Sequence, residues 1–293
     1  VLLASTSYAH AFCRTTTVPI PASFNPTRGC FTDGLVLFWK GQCVSYSVNQ
    51  AASNQIPFET AKPIIDQAFA TWANTECGNN KVGISVSPTD PVTCDEVKYA
   101  QNGPNQNVVV FRDKSWPYND PNNTLGLTTV TFNADTGEIY DADMEINASA
   151  GNLSVGDPVK PKGFDLASVV THEAGHFLGL AHAQSSTSTM YASYKPGTST
   201  LRSLSADDIA GICTIYPNTQ QRAVDPKVSP DGLIASDPCD ATPRHGFGTT
   251  CAENPAPAES KSGCGIARSS GGGGSAVLAL LAGVALRVRR RRS

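Results

Sequence analysis

Three of the chain's five histidines fall within His172-Glu173-Ala174-Gly175-His176-Phe177-Leu178-Gly179-Leu180-Ala181-His182. The spacing is H-E-x-x-H-x-x-G-x-x-H, and it constrains local structure before it constrains chemistry. Residues four apart share one face of a helix, so His172 and His176 can bind one cation from successive turns. Gly179 can adopt the left-handed conformation that ends a helix, which turns the chain back and presents His182 as third ligand. Three neutral imidazoles with one open position describe a catalytic zinc site, since structural sites close every position with protein. Zinc suits a nitrogen-only tetrahedral set better than other divalent ions do. Glu173 adjoins the first ligand and can act as general base on a water at that cation.

The rest of the chain limits the setting. A length of 293 residues is enough to bury a real core. Net charge is −3 and 16% of residues are charged, so nothing points to a nucleic-acid partner. Nine cysteines without a CxxC pair fit disulfides in an oxidising compartment. Cys77 with Cys94 and Cys239 with Cys251 are the expected local pairs, and setting Cys264 aside leaves an even number.

Four regions are expected. Residues 1–11 read as a signal-peptide remnant with an A-x-A site before Phe12. Residues 12–216 form a catalytic domain with an N-terminal extension, and 217–262 are a Pro/Ser/Gly-rich linker or stalk. Residues 263–293 carry Cys264, a glycine run, the apolar stretch Ala276 to Leu286 and a cluster of arginines. That stretch falls short of the roughly 20 apolar residues that span a bilayer. Followed by arginines, it reads as a segment that holds the protein at a membrane before processing.

Within the domain, Cys43 to Val48 alternates as a strand does. A helix follows to Trp72, with Thr60 as N-cap and Ile64, Ile65, Phe69 and Trp72 at helical spacing. Val82 to Val86, Val108 to Phe111, Leu125 to Phe132 and Glu138 to Ile146 read as strands, the last two joined by the turn at Asp135-Thr136-Gly137. Asp165 caps a helix over Leu166 to Leu180, and Ser205 opens a last helix to about Ile215. Strands followed by helices imply the α+β class.

Met190 follows the histidines in Ser188-Thr189-Met190-Tyr191; alone it reads more readily as an ordinary core methionine. Taken with His172 to His182 and with Leu204-Ser205-Ala206-Asp207-Asp208-Ile209-Ala210-Gly211-Ile212 through Tyr216, it makes the chain resemble the metzincin peptidases, matrixins in particular. The resemblance covers roughly Cys43 to Tyr216. It implies a zincin fold with a twisted, mixed, mostly parallel sheet and about three helices. It also implies that Met190 forms a Met-turn, that Asp207 and Asp208 brace it, and that Leu125 to Thr131 is an edge strand for an extended substrate. The tail resembles a myxobacterial C-terminal sorting segment, which implies a bacterial, surface-sorted protein cut near Cys264.

Two departures stand beside the resemblance. His10 and His245 are too few and too scattered for a second, histidine-bound zinc. No P-R-C-G type inhibitory cysteine occurs in the sequence shown. Calcium is a possible second cation, through Asp135, Asp141, Asp143 and Glu145. The expected function is a secreted or surface-tethered, monomeric zinc endopeptidase acting on protein or peptide, with Tyr194 lining its pocket. The alternatives are a surface binding or adhesion protein with a structural zinc closed by a fourth ligand such as Tyr191, and a zinc hydrolase of non-peptide bonds.

Overall fold

In the computed structural model, residues 12–251, 261–264 and 267–268 are described. The expected signal remnant, and the glycine, apolar and arginine stretches from 269 onward, lie outside them. Among the described residues no helix is long and apolar enough to cross a membrane.

The β-branched stretches form β1 (Cys43–Val48), β2 (Ser85–Pro88), β3 (Val108–Arg112), β4 (Gly126–Phe132) and β5 (Ile139–Asn147). The helices are α1 (Phe58–Ala73), α2 (Leu166–Phe177) and α3 (Ala206–Ile215). Short strands follow at β6 (Ser193–Tyr194), β7 (Lys261–Cys264) and β8 (Ala267–Arg268). The main sheet runs β7-β4-β5-β3-β1-β2. Pairs β1 with β2, β1 with β3, and β3 with β5 are parallel, whereas β4 runs antiparallel to β5. The five strands of the domain thus make the mixed, mostly parallel sheet of an α+β metzincin fold.

Side-chain alternation explains how β5 serves two faces. Ala142, Met144 and Ile146 join the apolar core shared with α1 and α2. Asp141, Asp143 and Glu145 occupy the other face, also buried. Helix α1 reaches α2 through aromatic packing: the Phe69 ring meets Phe177 edge-on at 5.0 Å and stacks on Tyr46 at 4.0 Å. The Trp72 indole N–H donates to the Thr171 carbonyl at 2.7 Å, so this buried indole is satisfied while it fixes the register of the helix pair.

Several expectations change. Helix α1 begins at Phe58 behind Pro57, and Thr60 lies inside its first turn with its N–H donating to the Pro57 carbonyl. Proline satisfies the geometry of a helix entry without a side-chain cap. The strand expected at 82–86 is displaced to β2. Helix α2 stops at Phe177 because Gly179 takes φ +89°, a conformation a side chain would strain.

The disulfides differ from the local guesses. Cys77 pairs with Cys213 and Cys94 with Cys251, while Cys43 joins Cys239 and Cys13 joins Cys30. Pairing needs Cα atoms about 4.4–6.8 Å apart, and sequence proximity does not supply that. Three of the bridges close loops of 136, 157 and 196 residues. Residues 217–251 accordingly pack on the domain and are no free stalk. Gln221–Ala223 pairs with Leu233–Ala235, and the fully buried Arg222 donates to the carbonyls of Trp39 and Gly41.

Candidate metal centre

Asp165 starts the helix that carries the site. Its carboxylate accepts from Ser168 N at 2.9 Å and is gripped by both Nε and Nη2 of Arg202, at 2.8 and 2.7 Å. A carboxylate at the positive end of α2 stabilises the helix, and the bidentate arginine fixes that carboxylate.

About two and three turns on, His172 and His176 project from the same face, and the reversal at Gly179 returns His182 to them. The three ligand-capable nitrogens lie within 4.8 Å of one another. Each imidazole is at most 3% exposed. His172 Nδ1 lies 2.6 Å from the Thr189 carbonyl and His176 Nδ1 lies 2.8 Å from the Leu180 carbonyl. Carbonyls only accept, so both Nδ1 atoms carry the proton and both Nε2 atoms present lone pairs. Those two Nε2 atoms face each other at 3.1 Å. Two lone pairs at that distance with no proton between them repel, and a shared cation removes the repulsion. The donor set therefore fits a metal ion. Burial first, and His182 next, push His172 well below the usual imidazole range against the pull of the Thr189 carbonyl, which keeps the ring neutral for ligation.

Among the described residues no carboxylate or thiolate joins the three histidines. Glu173 is fully buried beside them, with Oε2 2.8 Å from the Thr128 hydroxyl on β4. The same hydroxyl lies 3.1 Å from the Glu173 carbonyl. Its single proton can serve one of these two oxygens at a time. Gly126 presses from the same strand face: a Cβ there would sit 2.8 Å from Oε1 and 2.9 Å from Cγ. Thr128 and Gly126 were absent from the sequence-level site. Their spacing of two on an expected strand was the available signal, since it puts both on one face.

Met190 lies under the site. A Cβ on Gly175 of α2 would meet its sulfur at 2.2 Å, so Gly175 is what lets the thioether approach. Asp208, 1% exposed, organises the backbone around it. Its oxygens accept from Ser188 Oγ, Thr189 N at 2.8 Å, Met190 N at 3.2 Å, and Ser205 N and Oγ at 2.8 and 2.7 Å. Asp207 stands next to it in the first turn of α3. The Ala183 N–H, just after His182, donates to the Met190 carbonyl at 2.8 Å and ties the third histidine to this floor.

The N-terminal extension adds support. Cys13–Arg14 pairs antiparallel with Leu180–Ala181, and the Thr15 hydroxyl donates to the Leu180 carbonyl at 2.8 Å. Tyr194, expected to line the pocket, is 2% exposed and donates from its phenol to the Thr198 carbonyl. Two of the acidic residues considered for calcium are engaged elsewhere. Glu145 pairs with Arg112 and Tyr118, Asp143 accepts from Val108 N at 2.9 Å, and Asp135 is exposed on its turn. His245 sits 3.2 Å from the Tyr99 hydroxyl, apart from the other histidines.

Comparison with known proteins agrees with this geometry. The chain is 27% identical over 208 residues to metalloendoproteinase 1-MMP of Arabidopsis thaliana, covering 68% of this chain and 48% of the relative. It is 31% identical over 163 residues to metalloendoproteinase 1 of Glycine max, covering 54% and 46%. It is 31% identical over 182 residues to human matrix metalloproteinase-26, covering 61% and 59%. The chain thus spans about half the length of these curated relatives. Residues 38–217 match the family described as Matrixin, a stretch that holds β1 to β5, helices α1 to α3 and the three-histidine centre, and on that match the chain belongs to the matrixin family.

Proposed function

We propose that the chain is a zinc-dependent endopeptidase whose metal ligands are His172, His176 and His182 and whose general base is Glu173. The observation that carries this reading is the pair of unprotonated imidazole nitrogens at 3.1 Å, in a buried trio with a carboxylate beside it. A zinc ion held there would supply Lewis acidity and lower the pKa of a water to about 7.

The chain's own residues account for the proton movement. Glu173 takes a proton from the attacking water and returns it to the nitrogen of the leaving amine. Thr128 holds Oε2 while the missing side chain of Gly126 leaves room for Oε1. When the carboxylate is neutralised, the Thr128 proton can turn to the Glu173 carbonyl 3.1 Å away, so the hydroxyl follows the charge. Met190 and Asp208 hold the floor and, through the Thr189 carbonyl, the orientation of His172. An extended polypeptide would lie along the outer edge of β4, with main-chain bonds supplying affinity.

The four disulfides favour a secreted, oxidised setting. The tail sequence favours a bacterial, surface-sorted monomer held at a membrane before processing.

Zinc-loaded full chain incubated with a mixed peptide library should cleave it, and a chelator should abolish the cleavage until zinc is restored. A chain that holds stoichiometric zinc and cuts no peptide would remove this reading. Gly126→Ala supplies a finer check. Crowding Glu173 by a methyl should lower kcat about 10- to 100-fold, the cost of displacing a catalytic group by up to an ångström, with zinc content unchanged. Wild-type kcat in that variant would show that Glu173 tolerates displacement.

A further inference from the structure

Strand β7, Lys261–Cys264, lies antiparallel on the outer edge of β4, with Lys261 opposite Thr131 and Cys264 opposite Thr128. Two residues later β8 lies parallel to β6, with Ala267 opposite Ser193 and Arg268 opposite Tyr194. The first of these partners lies at the metal centre, and the second follows its methionine floor in the chain. Thr128 touches the Glu173 carboxylate, and β6 begins three residues after Met190. One short stretch of the C-terminal segment thus pairs first with the strand that holds Glu173 and then with the strand that follows Met190.

Without β7, β4 would be an edge strand with a row of unpaired N–H and C=O groups. Such an edge takes up an extended peptide by strand addition. Here the added strand is the chain's own. Its change of partner, from β4 to β6, falls between Cys264 and Ala267.

We propose that residues 261–264, on the edge of β4, and 267–268, on β6, hold the chain as a substrate in cis, and that the protein cuts its own chain between Cys264 and Ala267. The proposal rests on the endopeptidase reading above. Water supplies both parts of the reaction. Its hydroxyl adds to the carbonyl carbon of the cut peptide, and its proton passes through Glu173 to the nitrogen as the C–N bond breaks. The body keeps a new carboxylate near Cys264. The released piece starts with a new amine and carries the apolar run and the arginines, so self-cleavage detaches the body from whatever holds that tail. No other reactant is needed.

The test compares full-length wild type with full-length Glu173→Gln, prepared alike with zinc. Intact-mass measurement should show wild type shortened to a terminus between Cys264 and Ala267 and Glu173→Gln uncut. The shortening should be first order, with a rate that stays constant over about a hundredfold range of protein concentration. Hydrogen exchange reads occupancy without activity. In Glu173→Gln the amides of residues 128–131 should exchange at least about tenfold more slowly than in Glu173→Gln ended at residue 260, whose β4 edge is bare. Equal exchange in those two proteins would overturn the occupancy. An uncut tail in a wild-type protein that hydrolyses added peptide would overturn self-cleavage and leave the endopeptidase reading standing. An identical cut in Glu173→Gln would assign it to another protease. Failure to cut both tail and peptide would remove the endopeptidase reading and self-cleavage with it.

Discussion

Glu173→Gln should leave a folded, zinc-loaded protein whose kcat/KM on any peptide has fallen about 10²- to 10⁴-fold, the usual worth of a positioned general base. That range corresponds to about 3–5.5 kcal/mol of transition-state stabilisation. Glutamine keeps the shape and an amide oxygen that can still accept from Thr128, so the buried pocket stays filled and bonded. What it lacks is a basic oxygen to take the water's proton. Steady-state kinetics beside a metal assay separates the two effects. Hydrolysis at the wild-type rate would sink the assignment of Glu173, whereas loss of zinc would show that the substitution disturbed the histidines instead.

Asp208→Ala should be the most damaging change outside the ligands. Its two oxygens accept five bonds, three of them from the backbone N–H groups of Thr189, Met190 and Ser205. Alanine would strand the Thr189 and Ser205 N–H groups, at about 1–3 kcal/mol apiece if they find no water, while the Met190 N–H keeps Ser188 Oγ at 3.0 Å. Relaxation will recover part of this, and a net loss of about 3–5 kcal/mol is expected, as for breaking other buried charged networks. At about 2–4 °C per kcal/mol for a domain of this size, the melting temperature should fall by roughly 6–20 °C. Zinc affinity should weaken as well, because the Thr189 carbonyl orients the His172 ring. Asp208→Asn should recover part of both, since one amide oxygen still accepts. A change under about 1 kcal/mol would mean the donors find other partners and Asp208 is no brace.

The legible parts of this molecule were those whose information is local. Asp165 three residues before Ser168, and Ser205 three before Asp208, are capping patterns that a helix start enforces on its own. The histidine spacing is likewise set by helix period and one glycine. Thr128 escaped notice because its partner Glu173 is 45 residues away and the contact exists only once β4 lies against α2. The cysteine pairs were hidden for the same reason: Cys94 finds Cys251 across the fold, far past nearer cysteines. Residues 217–251 looked like a stalk because they are rich in proline, aspartate and glycine and poor in large apolar residues. Composition did not reveal that Arg222 is buried under carbonyls.

The pattern of cross-links also decides what survives when the chain is cut by a protease. Bridges 43–239 and 94–251 overlap, so a single cut at any peptide bond from 44 to 250 leaves both pieces in one covalent molecule. Such a nick changes the bands on a reducing gel and leaves the non-reducing gel unchanged. Beyond Cys251 no described bridge reaches across, and there a single cut frees everything that follows. The body is thereby insured against its own chemistry, and its C-terminal end is left detachable.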